Sequence, residues 1–201
     1  MASLFARNEN VVSNPPLAKW LFESKVAALL WLPLRIWLGL QWIMAAEHKI
    51  TDPAWVQTGL ALKGFWLSAV KIPAAPAKPA ITFDWYRSFL QMMIDGQVYT
   101  WFAKLVAYGE LLVGIALIVG AFVGIAAFFG ALMNWNFMMA GSASTNPMLF
   151  IIAVGLILAW KIAGYIGADY FLLRWIGTPW DTASKKKTQQ AVPVKQPAGA
   201  D

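Results

Sequence analysis

The chain of 201 residues contains no cysteine and only one histidine, His48. Its own residues therefore cannot form a disulfide, a thiolate metal site, an iron–sulfur cluster or a dithiol redox centre. A single histidine also excludes a haem held by two histidines from this chain. We expect no metal and no intrinsic cofactor, so any redox chemistry would require a diffusing quinone, another organic cofactor or a partner subunit.

Charged residues are also scarce, at 13% of the chain, whereas apolar residues make up 59%. A soluble domain usually carries about 25% charged residues. Between Leu105 and Trp160 the only charged side chain is that of Glu110. An apolar stretch of this length would aggregate in water, but it suits several membrane crossings of about 20 residues each.

The net charge of +6 does not indicate binding to nucleic acid. Lys185, Lys186, Lys187 and Lys195 lie in a C-terminal tail that is otherwise rich in proline, glutamine and alanine. A basic tail of this kind is typically solvated and lies beside anionic membrane lipid. We expect membrane lipid, and not nucleic acid, to be its partner.

The hydropathy pattern predicts an all-α fold, a polytopic membrane four-helix bundle with an extracytoplasmic cap of one or two interfacial helices. An interfacial helix over 17–32 would precede the first crossing, and Pro33 would bend the chain into the membrane. The membrane domain would span 17–180, between a disordered tail at 1–16 and a basic disordered tail at 181–201. We predict crossings at about 34–50, 100–119, 122–140 and 148–168, with an outer connection at 53–98.

The distribution of basic residues predicts that both termini are cytoplasmic. Lys19, Lys25 and Arg35 flank the first crossing, and Arg174 and the three consecutive lysines follow the last one. Basic residues in short flanks and loops favour the cytoplasmic side of a membrane. We expect Arg35 to extend toward the inner headgroups.

Glu110 is the leading candidate for chemistry, because a carboxylate within a membrane helix is costly and is a functional hypothesis by default. We predict that it handles protons. The alternative is a structural pairing, in which Lys161, Asn134 or a backbone group bonds to Glu110 and fixes the bundle.

Five further residues are candidates for binding a substrate or quinone: Glu47, His48, Asn134, Asn136 and Lys161. Asn134 belongs to a stripe of small residues that favours close helix packing, so an interface role is the stronger interpretation for it. Asn136 faces another direction, which makes it the better ligand candidate of the two asparagines. For His48 a solvated position at the membrane interface is the commoner role.

Four segments resemble the DoxX/DoxD family of small bacterial integral membrane proteins. They are Arg35-Ile-Trp-Leu-Gly39, Gly109-Glu-Leu-Leu-Val-Gly114, Ala131-Leu-Met-Asn-Trp-Asn-Phe137 and Lys161-Ile-Ala-Gly164 with Gly167-Ala-Asp169. The resemblance covers about residues 34 to 174. It implies a multi-pass protein of the bacterial plasma membrane, similar to the membrane subunit of a thiosulfate:quinone oxidoreductase. It supplies no catalytic residue.

Three functional hypotheses remain open from the sequence. The first is a membrane subunit of a quinone-linked oxidoreductase, since a quinone needs only an apolar cleft with a few hydrogen-bonding groups. The second is a non-catalytic subunit that anchors a larger membrane complex, with a partner subunit or further copies of itself. The third, a small transporter or proton pathway, is weakened by the scarcity of charges within the crossings.

Overall fold

The computed structural model describes residues 14–175, and every regular element in this range is helical, which confirms the all-α prediction. Nearly all of the predicted disordered tails, 1–16 and 181–201, lies outside the described residues. The helices are α1 (Pro16–Glu23), α2 (Ala28–Ile50), α3 (Pro53–Val56), α4 (Leu60–Val70), α5 (Asp84–Asp95), α6 (Tyr99–Val119), α7 (Val123–Met139), α8 (Asn146–Leu158), α9 (Trp160–Ala163) and α10 (Asp169–Trp175), with a 3₁₀ turn at Lys25–Ala27 before α2.

Two helical segments are long and apolar enough to cross a membrane. They are Lys25–Ile50, which joins the 3₁₀ turn to α2, and Tyr99–Val119, which is α6. The other two predicted crossings are shorter as single helices, since α7 has 17 residues and α8 has 13. At 1.5 Å per residue these helices extend about 25 Å and about 20 Å.

The first and fourth predicted crossings have different boundaries in the structure. The helix of the first predicted crossing is α2, which begins at Ala28 and continues through Pro33. The break that was predicted at Pro33 lies instead at Ser24, whose extended backbone precedes the 3₁₀ turn. The fourth crossing is not one helix over 148–168. It is interrupted at Ala159 and stops at Ala163, where the chain enters a turn that wraps around Arg35.

Close backbone contact joins α2 to α6 at one pair of glycines. A Cβ atom on Gly39 would lie 2.9 Å from the carbonyl oxygen of Gly114, and a Cβ atom on Gly114 would lie 2.9 Å from the carbonyl oxygen of Gly39. Small residues allow membrane helices to approach in this way. The pair therefore fixes where the two long helices cross.

The remaining helices pack onto α2 and α6 in two groups. α7 packs mainly against α8, and the small residues Ala127 and Ala131 lie in the same buried cluster as Ala153 and Leu156 of α8. A second apolar cluster joins α4, α5 and the beginning of α6. We call this end of the bundle, where α2 ends and α6 begins, the capped end, and the opposite end the Arg35 end.

Large apolar side chains cover the outer surface of the bundle. They occur on α2, α6, α7 and α8 and include Leu29, Leu40, Leu105, Leu112, Ile125, Phe128, Ile151 and Leu158. Soluble monomers rarely expose contiguous apolar patches beyond a few hundred Å². A surface of this composition is suited to contact with lipid.

Candidate functional site

Glu110 forms an ion pair with Lys49 inside the bundle. The ammonium of Lys49 donates hydrogen bonds to both carboxylate oxygens, at 2.7 and 3.0 Å, and the side chain of Glu110 is fully buried. Lys49 reaches this position by folding back along its own helix, where its Nζ also lies 3.4 Å from the carbonyl oxygen of Ala45. The pair therefore lies below the end of α2 and near the middle of α6.

A polar cavity of about 370 Å³ opens beside this ion pair at the capped end. Its walls come from α2, α6, α7, α8 and the turn between α7 and α8. Its polar lining, besides Lys49 and Glu110, consists of Gln41, His48, Ser142, Ser144, Thr145 and Asn146. Hydroxyl and amide groups of this kind can form hydrogen bonds with water.

An apolar cleft of about 490 Å³ lies on the other side of α6, between α4, α5, α6 and α7. Aromatic and aliphatic side chains form nearly all of its walls, including Trp66, Phe89 and Met133. Three lining residues are also exposed on the outer surface: Leu105 is 56% exposed, Leu112 67% and Phe129 51%. The cleft therefore opens sideways, between α6 and α7, onto the apolar surface of the bundle.

Two hydrogen-bonding side chains stand among the apolar walls of the cleft, Tyr86 and Asn136. The phenol of Tyr86 donates to the backbone carbonyl of Asn136 at 3.0 Å and lies 3.2 Å from its side-chain oxygen. Burial raises the pKa of Tyr86 to about 12, so the phenol keeps its proton at neutral pH. The amide nitrogen of Asn136 donates one hydrogen to the carbonyl of Leu132 at 2.8 Å and retains a second one for a ligand.

Phe137 lines both the cleft and the polar cavity and forms the wall between them. The ammonium of Lys49 lies 5.7 Å from the centre of its ring. On α6 the boundary runs between two consecutive residues, because Gly109 lines the cleft and Glu110 lines the cavity. An apolar site and a buried ion pair are thus separated by one side chain.

Of the six candidate residues, the structure brings only Glu110 and His48 into the same space. Glu110 and His48 line the polar cavity, and Asn136 lines the cleft. Glu47 is exposed at the end of α2 and lines neither space. Lys161 lies in α9, at the Arg35 end. The alternative of a structural pairing of Glu110 with Lys161 or Asn134 is wrong in its partner, because Glu110 pairs with Lys49.

Asn134 is fully buried, and neither its amide nitrogen nor its amide oxygen has a hydrogen-bond partner. It belongs to the buried face of α7 with Ala127 and Ala131. The Nε1 atom of Trp42, which lies against Gly130 one turn earlier on α7, is also without a partner. Asn134 lines neither the cleft nor the cavity.

Arg35 does not extend toward headgroups, contrary to the sequence-based expectation. It is 1% exposed, and its guanidinium donates to the carbonyls of Ala163 and Ile166 at 3.3 and 3.0 Å. Asp169 lies nearby and accepts hydrogen bonds from the backbone N–H groups of Phe122 and Val123. These contacts close the Arg35 end by tying the turn after α9 to the starts of α2 and α7.

Within residues 14–175 no group of three His, Asp or Glu side chains is placed to hold a metal ion. Comparisons with known proteins give no match, since no family model, curated protein or solved structure matches this chain.

Sequence reasoning missed Lys49, Tyr86 and Phe137 as parts of the site. Lys49 ends an apolar helix, where a lysine usually anchors at the headgroups. A signal for Tyr86 did exist, because Tyr86, Leu90 and Ile94 recur every four residues on the buried face of α5.

Proposed function

We propose that this chain is an integral membrane subunit of a quinone-linked oxidoreductase, which binds a lipid-soluble quinone in the cleft. The main support for this proposal is that the apolar cleft and the polar cavity adjoin each other. The cleft opens sideways, and the cavity contains the Lys49–Glu110 ion pair. A quinone is an apolar molecule whose reduction consumes protons, so it requires both kinds of environment.

Four membrane crossings, by α2, α6, α7 and α8 with α9, would place the mouth of the cleft within the bilayer. The apolar outer surface of these four helices supports this arrangement. From Asn146 to Ala163 the broken fourth element reaches about 27 Å, close to the thickness of the hydrocarbon core, which is about 30 Å. The Arg35 end would face the cytoplasm of a bacterial plasma membrane and the capped end the outside.

In the cleft, the isoprenoid tail of the quinone would pack against the aromatic and aliphatic walls, and one ring carbonyl would accept the remaining amide hydrogen of Asn136. Reduction of a quinone to a quinol takes up two electrons and two protons. The protons would come through Glu110 from the polar cavity. The electrons would come from a partner subunit or, as the resemblance to the DoxX/DoxD family implies, from thiosulfate.

Photolabelling with an azido-quinone tests the cleft directly, with the purified protein in lipid nanodiscs. We expect label on peptides of α5, α6 and α7 that line the cleft. A Gly109→Leu variant would place a side chain in this space, where a Cβ atom meets only the sulfur of Met133 at 3.9 Å, and we expect labelling to fall at least tenfold. Gly64→Leu is the matched control, because Gly64 has no neighbour within 4 Å and lies outside the cleft.

A Glu110→Gln variant separates the three functional hypotheses. If Glu110 supplies protons, quinone reduction in membranes should fall at least tenfold, while the amount of protein and the photolabelling remain unchanged. Loss of a co-purifying complex without loss of quinone reduction would instead make the chain an anchoring subunit. A change confined to solute or proton flux would favour the pathway hypothesis.

A further inference from the structure

We propose that the polar cavity is an aqueous half-channel, which connects Glu110 to the water at the capped end and not to the Arg35 end. This inference depends on the membrane crossings proposed above, but it does not depend on a quinone. In this arrangement protons enter and leave Glu110 from one side of the membrane only.

The mouth of the cavity lies at the capped end. Ser144 and Thr145, in the turn between α7 and α8, are exposed, and His48 is exposed opposite them at the end of α2. Hydroxyl, amide and imidazole groups continue inward from this mouth to Lys49, whose side chain is 16% exposed. Glu110 is the innermost charged group and is fully buried.

Below the cavity the core of the helices is apolar. Leu38, Leu117 and Val123 are each fully buried there, and the distance from Glu110 to Gly120 along α6 is about 15 Å at 1.5 Å per residue. In the described part of the chain, the next buried charged groups in this direction are Arg35 and Asp169. Their bonds to the backbone of the two neighbouring turns close that end.

The residues that line the cavity include three ionisable side chains: Lys49, Glu110 and His48. Lys49 contacts Glu110 directly, and His48 stands at the mouth, both from α2. The walls contributed by α7, α8 and their turn contain hydroxyl, amide and apolar groups and no ionisable side chain. A proton that binds Glu110 neutralises the carboxylate and leaves the Lys49 ammonium facing the cavity, and its release restores the pair.

Cysteine accessibility tests the half-channel cleanly, because the natural chain has no cysteine. Ala45 and Ala46 form a matched pair on α2: Ala45 lines the cavity, whereas Ala46 is fully buried elsewhere. Each would be replaced by cysteine and exposed, in sealed vesicles of known orientation, to a membrane-impermeant charged thiol reagent. Denatured samples would give the maximum labelling for each variant.

We expect the Ala45→Cys protein to react from the capped side only, at least tenfold faster than from the other side, and the Ala46→Cys protein to react from neither. Equal labelling of Ala45→Cys from both sides, labelling from the Arg35 side, or no labelling of the folded protein would overturn the half-channel. Photolabelling by quinone is independent of these results, so a failure here is distinguishable from failure of the proposed function. If Ala45→Cys does not fold, Ser142→Cys, which also lines the cavity, replaces it.

Discussion

At the scale of single residues, the Lys49–Glu110 pair explains how a carboxylate is tolerated within the bundle. A buried charge is strongly unfavourable alone, and the opposite charge with good hydrogen-bond geometry offsets much of that cost. Both carboxylate oxygens accept from the same ammonium, at 2.7 and 3.0 Å. The two residues should therefore behave as a unit.

This coupling predicts that losing Lys49 alone is worse than losing both charges of the pair. Replacing Lys49 by Met would leave the Glu110 carboxylate buried and unpaired, a loss of about 3–5 kcal/mol for breaking such a pair. The Lys49→Met, Glu110→Gln double variant removes both charges and should recover a large part of this loss. Thermal unfolding of the purified proteins in mild detergent measures the difference, and a double variant no more stable than Lys49→Met would contradict the pairing.

Single residues also show what the sequence could and could not reveal. The burial of Glu110 within a helix was predictable, because it is the only charge in a long apolar stretch. Its partner was not, since Lys49 reaches Glu110 only by folding back one turn along α2. The position of Arg35 was predicted wrongly because a basic residue near the start of an apolar helix usually anchors at the headgroups. Tertiary contacts, which the sequence does not show, bury it instead.

At the scale of helices, the contact between Gly39 and Gly114 sets how α2 and α6 pack. Each glycine lies against the backbone of the other helix, so a larger side chain must push the two axes apart. The Glu110 carboxylate lies one turn from Gly114, and Lys49 lies on the same helix as Gly39. Separation of the helices would therefore also strain the ion pair.

We predict that Gly114→Leu lowers the yield of folded protein and its unfolding temperature strongly. Gly64 provides the control: it lies within α4 with no neighbour around it, so Gly64→Ala should instead stabilise the helix by about 0.5–1 kcal/mol. Thermal unfolding and gel filtration in detergent compare the two variants. A Gly114→Leu protein as stable as the natural chain would show that the helices do not meet at these glycines.

Helix positions were largely predictable from the apolar runs, and the exceptions have a tertiary cause. The predicted segments at 100–119 and 122–140 differ from α6 and α7 by one residue at each altered end. The interruption at Ala159 was not predictable, because neither glycine nor proline occupies that position. The chain turns soon afterwards because the carbonyls of Ala163 and Ile166 accept hydrogen bonds from Arg35.

At the scale of the whole molecule, the cleft exists because the connection at 53–98 folds back onto the bundle. The phenol of Tyr86 in this connection donates a hydrogen bond to the carbonyl of Asn136 in α7, 50 residues away in sequence. Aromatic side chains of α4 and α5 form the wall of the cleft opposite α6. Long-range contacts of this kind cannot be predicted from the hydropathy of the sequence. Helices in this connection were therefore predictable from the sequence, whereas the cleft that they form with α6 and α7 was not.

Protein purified from native membranes shows directly whether the cleft holds a lipid-soluble quinone. The natural chain and the Gly109→Leu variant would be extracted in mild detergent, and bound lipophilic molecules identified by mass spectrometry. We predict a quinone in near-equimolar amount with the natural chain and at least tenfold less with Gly109→Leu. No quinone with the natural chain, or equal amounts with both proteins, would show that the cleft is not a quinone site.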